Sequence, residues 1–307
     1  WFQHYPEGIP QEINPKQFEA LVDLVETCIE EYGSRTAFEC MGAAITFNEL
    51  DQLSKHFAAF LQQDLKLKKG DRIAIQMPNL LQYPIAMLGA LRAGLIVVNT
   101  NPLYTAREMK HQFNDAGVEA VVILANFAYN LEKILPETSI KHVIITEIGD
   151  QLGGVKKVLV NAVVKYVKKM VPKYSLPNTI AFNDTLKSGK KSSFTRVGLA
   201  GKDTAFLQYT GGTTGVSKGA VLTHANLVAN MEQISAWMSV GLSKAEETMI
   251  TALPLYHIYA LTVNCFSMMK IGAKNVLITN PRDMKGFIKE LKKHTYPVVP
   301  GVNTLYN

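Results

Sequence analysis

Short apolar runs rich in β-branched residues punctuate the chain: "RIAIQM" at 72–77, "GLIVVN" at 94–99, "EAVVIL" at 119–124, "KHVIIT" at 141–146, "TAFLQY" at 204–209, "TMITAL" at 248–253, "KNVLIT" at 274–279 and "YPVVP" at 296–300. Runs of this kind predict strands buried on both faces. Helical patterns lie between most of them. Two of these helices open with a threonine three residues ahead of a glutamate, Thr46 with Glu49 and Thr105 with Glu108, the reciprocal cap that starts a helix. Alternating strands and helices predict parallel sheets covered by helices, an α/β architecture. Four runs precede the segment 150–203 and four follow it, which predicts two sheets with their boundary there.

That boundary contains "VKKVLVNAVVKYVKKMVPKY". At 100° per residue, Lys157, Asn161, Lys165, Lys168 and Lys169 share one side of a helix of about residues 152–172. Val155, Leu159, Ala162, Val163, Tyr166, Val167, Met170 and Val171 cover the other side, and Pro172 closes the helix. Two readings follow. The segment 155–173 meets an anionic membrane, lysines among the headgroups and valines below them; or the helix packs its apolar side on its own protein and leaves a solvated lysine face.

Composition narrows the class. A chain of 307 residues, 47% hydrophobic, has material for a large core and about two subdomains. Cys28, Cys40 and Cys265 fit neither a zinc site nor a disulfide framework, which predicts a reduced, cytoplasmic setting. The amino end has neither a signal peptide nor a spanning run, and with no initiator methionine, a few leading residues are expected to be missing. The net charge of +6 is accounted for by six lysines between Asp150 and Asp184, where no acid occurs. Only six of the 32 basic residues are arginine, and no aromatic-rich RNA motif is present, so nucleic acid is not an expected partner.

The richest candidate chemistry is "YTGGTTGVSKGAVLTH", from Tyr209 to His224. Glycines that let backbone N–H groups converge, with the hydroxyls of Thr210, Thr213, Thr214 and Ser217 and the charge of Lys218, suit phosphate oxygens. A plain surface connection is the bland alternative. A nucleotide-triphosphatase loop begun at Gly212 fails at Ser217 and again at Gly219, and no G-x-G-x-x-G is present.

This stretch resembles the signature loop of the adenylate-forming enzymes, the superfamily of acyl-CoA synthetases, luciferases and peptide-synthetase adenylation domains. "ALPLYHIYAL" is similar to their second motif, with its aromatic–histidine pair at Tyr256 and His257. "MPNLLQYPIAMLGALRAGLIVVNTNPLYTAREMKHQFNDAG", "TNPRDMKG" and "GVNTLYN" look most like bacterial long-chain fatty acyl-CoA synthetases. The resemblance covers essentially the whole chain. It implies attack of a fatty acid carboxylate on the α-phosphate of ATP, then displacement of AMP by the thiol of coenzyme A. By the same carry-over, Tyr209, Thr210, Gly211, Gly212, Thr213, Thr214, Gly215, Ser217 and Lys218 bind the cofactor, Thr210 to Gly215 holding the β- and γ-phosphates and Lys218 acting as a mobile positive charge. His257 would be the catalytic residue, beside the adenylating carboxylate, and Tyr256, Gly301 and Val302 would border the acyl site. A histidine satisfied inside a core is the other reading of His257; His224 and the remaining histidines are expected to be structural.

The fold this implies is two helix-covered, mostly parallel sheets stacked as in the large N-terminal domain of these enzymes. Residues 1–47 would join the second sheet, 48–200 form the first subdomain, and 201–307 form the second, carrying the phosphate turn and incomplete at its end. Mg²⁺ is an implied cofactor, yet no metal ligand is evident: the family's G-x-T-E glutamate, the ribose aspartate, the hinge, and the small C-terminal domain with its lysine do not occur. The chain is therefore expected to be the first half of such an enzyme, truncated before the β-barrel and the C-terminal lid domain and inactive alone. Fatty acid, ATP and CoA are the expected partners, and a homodimer and a peripheral contact with the inner face of the cytoplasmic membrane are allowed. Two rivals stay open: an adenylating enzyme for aryl, short-chain or amino acids, and a non-catalytic membrane-docking or acyl-binding module.

Overall fold

The computed structural model describes residues 2–210, 216–295 and 297–306. Strands among them are β1 (Thr36–Cys40), β2 (Ala43–Thr46), β3 (Arg72–Gln76), β4 (Ile96–Asn99), β5 (Ala120–Leu124), β6 (His142–Thr146), β7 (Ile180–Ala181), β8 (Thr204–Thr210), β9 (Lys218–Thr223), β10 (Thr248–Thr251) and β11 (Lys274–Leu277). The helices that matter here are α1 (Leu21–Tyr32), α2 (Phe47–Gln63), α3 (Gln82–Arg92), α4 (Ala106–Ala116), α5 (Ala128–Ile134), α6 (Gly154–Ala162), α7 (Phe182–Gly189), α8 (His224–Met238), α9 (Met268–Lys270) and α10 (Met284–Leu291). The fold is α/β, with two mixed sheets and covering helices. Among the described residues no helix is long and apolar enough to cross a membrane.

The chain divides into two compact units. The first (residues 1–51, 199–203 and 223–307) holds a sheet in the order β10-β11-β1-β2. β10 runs parallel to β11, β11 parallel to β1, and β1 and β2 form an antiparallel hairpin. Met41 and Gly42 turn that hairpin with φ of 51° and 74°, the left-handed pair that a tight hairpin favours. Ile250, Val276 and Phe287 from β10, β11 and α10 share one apolar cluster. The buried His224 caps α1: its Nδ1 accepts from the Leu21 N–H at 3.3 Å.

The second unit (residues 52–198 and 204–222) holds a sheet in the order β7-β6-β5-β3-β4-β8-β9. Pairings from β7 through β8 are parallel. Every residue of β5 is buried, and Ala74, Val98, Val121 and Val143 of adjacent strands share a core with Met109 and Phe113 of α4. Parallel strands covered on both faces account for the continuous apolar runs. Gly89 of α3 is needed because a Cβ there would stand 2.8 Å from the carbonyl oxygen of Ser54 and 2.8 Å from the ring of Phe57.

The observed division differs from the expected boundary at residue 200. β8 and the segment through Leu222 belong with the larger sheet, because β8 pairs with β4 (Val97↔Phe206, Asn99↔Gln208), and such a long-range pairing leaves no periodicity to read. Of the run 296–300, Tyr296 lies outside the described residues and the rest shows one bridge, Met249↔Val298; Pro297 and Pro300 lack the N–H groups a ladder needs.

The basic segment is helical over part of its expected length. It is α6 followed by a π-helical turn at Val163–Val167, and none of these residues is buried. Part of its polar side is tied to the protein, for Lys157 Nζ lies 3.4 Å from Asp150 Oδ1, and Asn161 donates to the same carboxylate at 3.3 Å while accepting from the Gly149 N–H at 2.7 Å; Lys165, Lys168 and Lys169 stay exposed. On the apolar side Val155, Leu159, Tyr166, Val167 and Met170 are exposed, whereas Ala162, Val163 and Val171 are half-buried, so that side packs on the protein only in part.

Candidate functional site

β8 delivers Tyr209 and Thr210 to the carboxyl-terminal edge of the larger sheet, the edge where open α/β sheets bind ligands. The chain resumes its description at Val216, and Lys218 opens β9, the neighbour of β8. The turn thus joins two adjacent strands, unlike a nucleotide-triphosphatase loop, which leads from strand to helix. Gly211, Gly212, Thr213, Thr214 and Gly215 lie outside the described residues. Both shoulders are described: Ser217 Oγ donates to the Thr210 carbonyl at 2.8 Å, and Thr210, Val216 and Lys218 are exposed.

α4 holds those shoulders. The Thr105–Glu108 cap starts it, with the Glu108 N–H bonded to Thr105 Oγ1 and Glu108 Oε2 accepting from the Thr105 N–H at 2.8 Å. Gly117, at φ 62°, ends it in the left-handed cap that glycine favours. Asp115 Oδ2 accepts from the Tyr209 hydroxyl at 2.5 Å. His111 Nε2–H donates to the Ser217 carbonyl at 2.9 Å. Gln112 donates to the Asn99 carbonyl at 2.9 Å, and Asn99 stands in a buried chain, accepting from Tyr83 at 2.8 Å and donating to Gln208 of β8 at 3.1 Å.

The Tyr209 ring is buried in the core, and Gly219 is its counterpart: a Cβ there would come within 2.8 Å of the ring. Burial, then the bond to Asp115 and its negative charge, push the Tyr209 phenol well above its ordinary range, so it stays a protonated donor. His111 and Asp115 were missed as site residues from sequence alone. The signal that points to them is a polar pair one helical turn apart, bordering the apolar stripe Met109–Phe113–Ala116.

The other candidate residues lie in the unit with the smaller sheet. After β10, the His257 N–H donates to the Pro254 carbonyl at 3.0 Å, and the His257 carbonyl accepts from Leu261 at 3.0 Å, so the histidine heads the turn that leads into the π-helix Ala260–Ser267. Leu255 is buried, Tyr256 half-buried and His257 exposed, which removes the reading of His257 as a core histidine. Val302 is exposed, and Gly301 sits where a Cβ would fall 2.8 Å from the Tyr306 ring. The Tyr306 hydroxyl donates to the Val299 carbonyl. Close to these positions in sequence, Tyr259 and Val298–Pro300 line an open apolar recess of about 600 Å³ together with Trp237 and Met249.

Among the described residues, the carboxylates of α4 near the turn do not fit the implied magnesium ion, Glu108 being engaged in the Thr105 cap. Asp115 is committed to Tyr209, and the one cluster of His, Cys, Asp or Glu found among the described residues, Glu39, Glu290 and His294, belongs to the other unit. There Lys274 lies 3.4 Å from Glu39 and Lys293 lies 2.6 Å from Glu290, making an ion-pair network rather than a vacant ligand set.

A glycine- and hydroxyl-rich sequence between two adjacent strands of a helix-covered sheet agrees with the family match: a model of the AMP-binding enzymes covers residues 25–307, and the chain belongs to that family. Over 307 residues it is 53% identical to the long-chain-fatty-acid–CoA ligase of Escherichia coli O157:H7, matching 100% of this chain and 55% of that protein. The ligase of the same name from Bacillus subtilis is 33% identical over 100% of this chain and 54% of its own length. The chain thus spans about half the length of these curated relatives. Among solved structures, the anthranilate CoA ligase AuaEII in complex with anthranoyl-AMP superposes with a TM-score of 0.79 at 15% identity, over 96% of this chain and 52% of that one. A long-chain-fatty-acid-CoA ligase from Archaeoglobus fulgidus gives 0.71 at 22% identity, over 94% and 53%. At these identities the structures share the fold alone.

Proposed function

We propose that the chain carries the ATP-phosphate turn and part of the acyl site of a long-chain fatty acid:CoA ligase that forms AMP. The observation that carries the reading is 50–53% identity, along the whole chain, to bacterial proteins named for that activity. In the first step a carboxylate oxygen attacks the α-phosphorus of ATP and pyrophosphate leaves; in the second the CoA thiol attacks the acyl carbonyl, loses its proton, and AMP leaves. The first nucleophile is already an anion, so this step needs alignment and charge neutralisation more than a base. Tyr209, Thr210, Ser217 and Lys218, with Gly211–Gly215 between them, are assigned to the triphosphate. Asp115 and His111 support the assignment by fixing both shoulders of the turn.

Tyr256 and His257 are assigned to the carboxylate end of the fatty acid, and Gly301 and Val302 to the acyl wall. The apolar recess at Tyr259 and Val298–Pro300 favours a hydrocarbon occupant, and its volume of about 600 Å³ lies in the usual range for ligand pockets. Mg²⁺ would neutralise phosphate charge, but the residues described beside the turn do not supply its ligand.

ATP–pyrophosphate exchange by the full-length gene product, with palmitate, benzoate, acetate and an amino acid as alternative acids, tests the reading. Exchange with palmitate far above the others is expected. Preference for benzoate or the amino acid would transfer the chain to another branch of the family, and no exchange with any acid would leave a non-catalytic module.

A further inference from the structure

The unit with the smaller sheet holds a second cavity, of about 590 Å³, within the usual range for small-molecule sites. Its walls are α1, α8, the end of the π-helix, α9 and the stretch from Pro10 to Phe18. It is distinct from the recess assigned to the acyl chain. α8 gives Gln233, Ile234 and Trp237 to that recess and Glu232, Ser235 and Ser239 to this cavity, and Met238 alone borders both.

Two polar atoms of α8 point to an occupant. Glu232 is 9% exposed; Lys270 Nζ lies 2.6 Å from its Oε2, whereas its Oε1 is buried with no hydrogen-bond partner among the described residues. Ser235 Oγ is likewise buried and without a partner. Three residues apart on one helix, the two side chains are neighbours on one face, so a single bound hydroxyl can donate to the carboxylate and accept from the serine. Buried groups of this kind are costly when unpaired, and a ligand that pairs both is favoured for that reason.

The charge of the walls selects the head group. Lys270 repels a cation placed beside Glu232, and the open carboxylate oxygen repels an anion. Glu31 has Lys244 3.8 Å away. Burial, then the charge of Glu31, pushes the Cys28 thiol up to about 12, so it is a neutral wall atom and no nucleophile. A neutral head is what remains, and Phe18, Leu24, Leu242, Met268 and Ile271 offer apolar surface to a hydrocarbon body. We propose that this cavity binds a neutral amphiphile with a hydroxyl head, the hydroxyl bridging Glu232 Oε1 and Ser235 Oγ and the chain lying against Leu24, Leu242 and Met268. The inference stands on this cavity alone and does not depend on the turn assigned to ATP.

The test is calorimetric titration of the full-length gene product, and of the 307-residue chain, with 1-O-octylglycerol below its micellar concentration and in the presence of saturating palmitate. One molecule bound per chain is expected, with octylamine and octanoate roughly tenfold weaker because each brings a charge into the cavity. Ser235→Ala removes one of the two partners and should weaken octylglycerol roughly fivefold. Ser239→Trp, at an exposed position on the cavity wall, should abolish binding with an unchanged melting temperature. A diazirine on the octyl chain should crosslink to α1 or α9.

No binding to either protein, equal affinity for the three head groups, or a Ser235→Ala variant that binds as wild type would overturn the proposal. So would displacement by palmitate with crosslinks at Tyr259 or Val298–Pro300, which would assign the probe to the acyl recess. Binding by the short chain but not by the full-length product would likewise overturn it, since another part of the protein would then fill the cavity.

Discussion

Replacing Tyr209 by Phe removes one oxygen and leaves the aromatic ring where it packs. The apolar burial is retained, so no cavity term arises. What is lost is a 2.5 Å hydrogen bond to the Asp115 carboxylate. Bonds to charged groups contribute about 1.5–3 kcal/mol; Asp115 is exposed and regains water, which places the expected loss at the lower end, about 1.5 kcal/mol. Asp115→Asn keeps the shape and a neutral acceptor, so it should cost less. If the bond acts as described, the double variant is less destabilised than the sum of the singles by about 1 kcal/mol, a coupling readable in a denaturation cycle.

The pH dependence carries its own sign. The folded-state phenol is raised above its ordinary value of 10.0 by burial, then by the bond to Asp115 and its charge. Its contribution is present below about pH 10 and is lost as the solution becomes more alkaline, because the unfolded chain releases the proton first. Wild-type stability should therefore fall more steeply above pH 10 than that of the Phe variant. Additive single effects, within about 0.3 kcal/mol, together with identical alkaline limbs, would refute the reasoning.

Gly219→Ala places a methyl within 2.8 Å of the Tyr209 ring; the ring must shift, and the full-length product should show a raised KM for ATP with little change in KM for the fatty acid. Gly89→Ala, with 2.8 Å contacts to the Ser54 carbonyl and Phe57, should destabilise by about 1–3 kcal/mol through overpacking, measured by guanidinium unfolding. Glu232→Gln leaves Lys270, now 2.6 Å from a carboxylate and 21% exposed, without its counter-charge. A loss of about 3 kcal/mol is expected, most of it recovered when Lys270→Met is added.

The strands that the sequence revealed best are those buried on both faces. "EAVVIL" and "KNVLIT" became β5 and β11 within a residue or two at their ends, because nothing but a central strand gives so short and so continuous an apolar run. β1, β2 and β9 escaped notice for the opposite reason: "TAFEC" and "KGAVLT" mix polar and small residues, and β9 is largely exposed. The order of strands was not legible at all, since the parallel pairing of β8 with β4 joins segments more than 100 residues apart. The turn at Tyr209 was legible from its glycines and hydroxyls. Its supports were not, because His111 and Asp115 look like ordinary solvated helix residues until Ser217 and Tyr209 are brought beside them. The basic helix was legible only in part, for a helical projection shows which residues share a side but not how far the protein covers each, and here Lys157 and Asn161 are held while Lys165, Lys168 and Lys169 stay exposed. The hold comes from Asp150, just outside the helix.

The central claim, that the turn between β8 and β9 grips the polyphosphate of ATP, is tested most directly by a crystal structure of the full-length gene product with a non-hydrolysable ATP analogue. The account predicts β- and γ-phosphate oxygens within hydrogen-bonding distance, about 3 Å, of backbone N–H groups and hydroxyls of residues 210–218, with Tyr209 still bonded to Asp115. Phosphates bound elsewhere, with that turn making no contact to them, would contradict it.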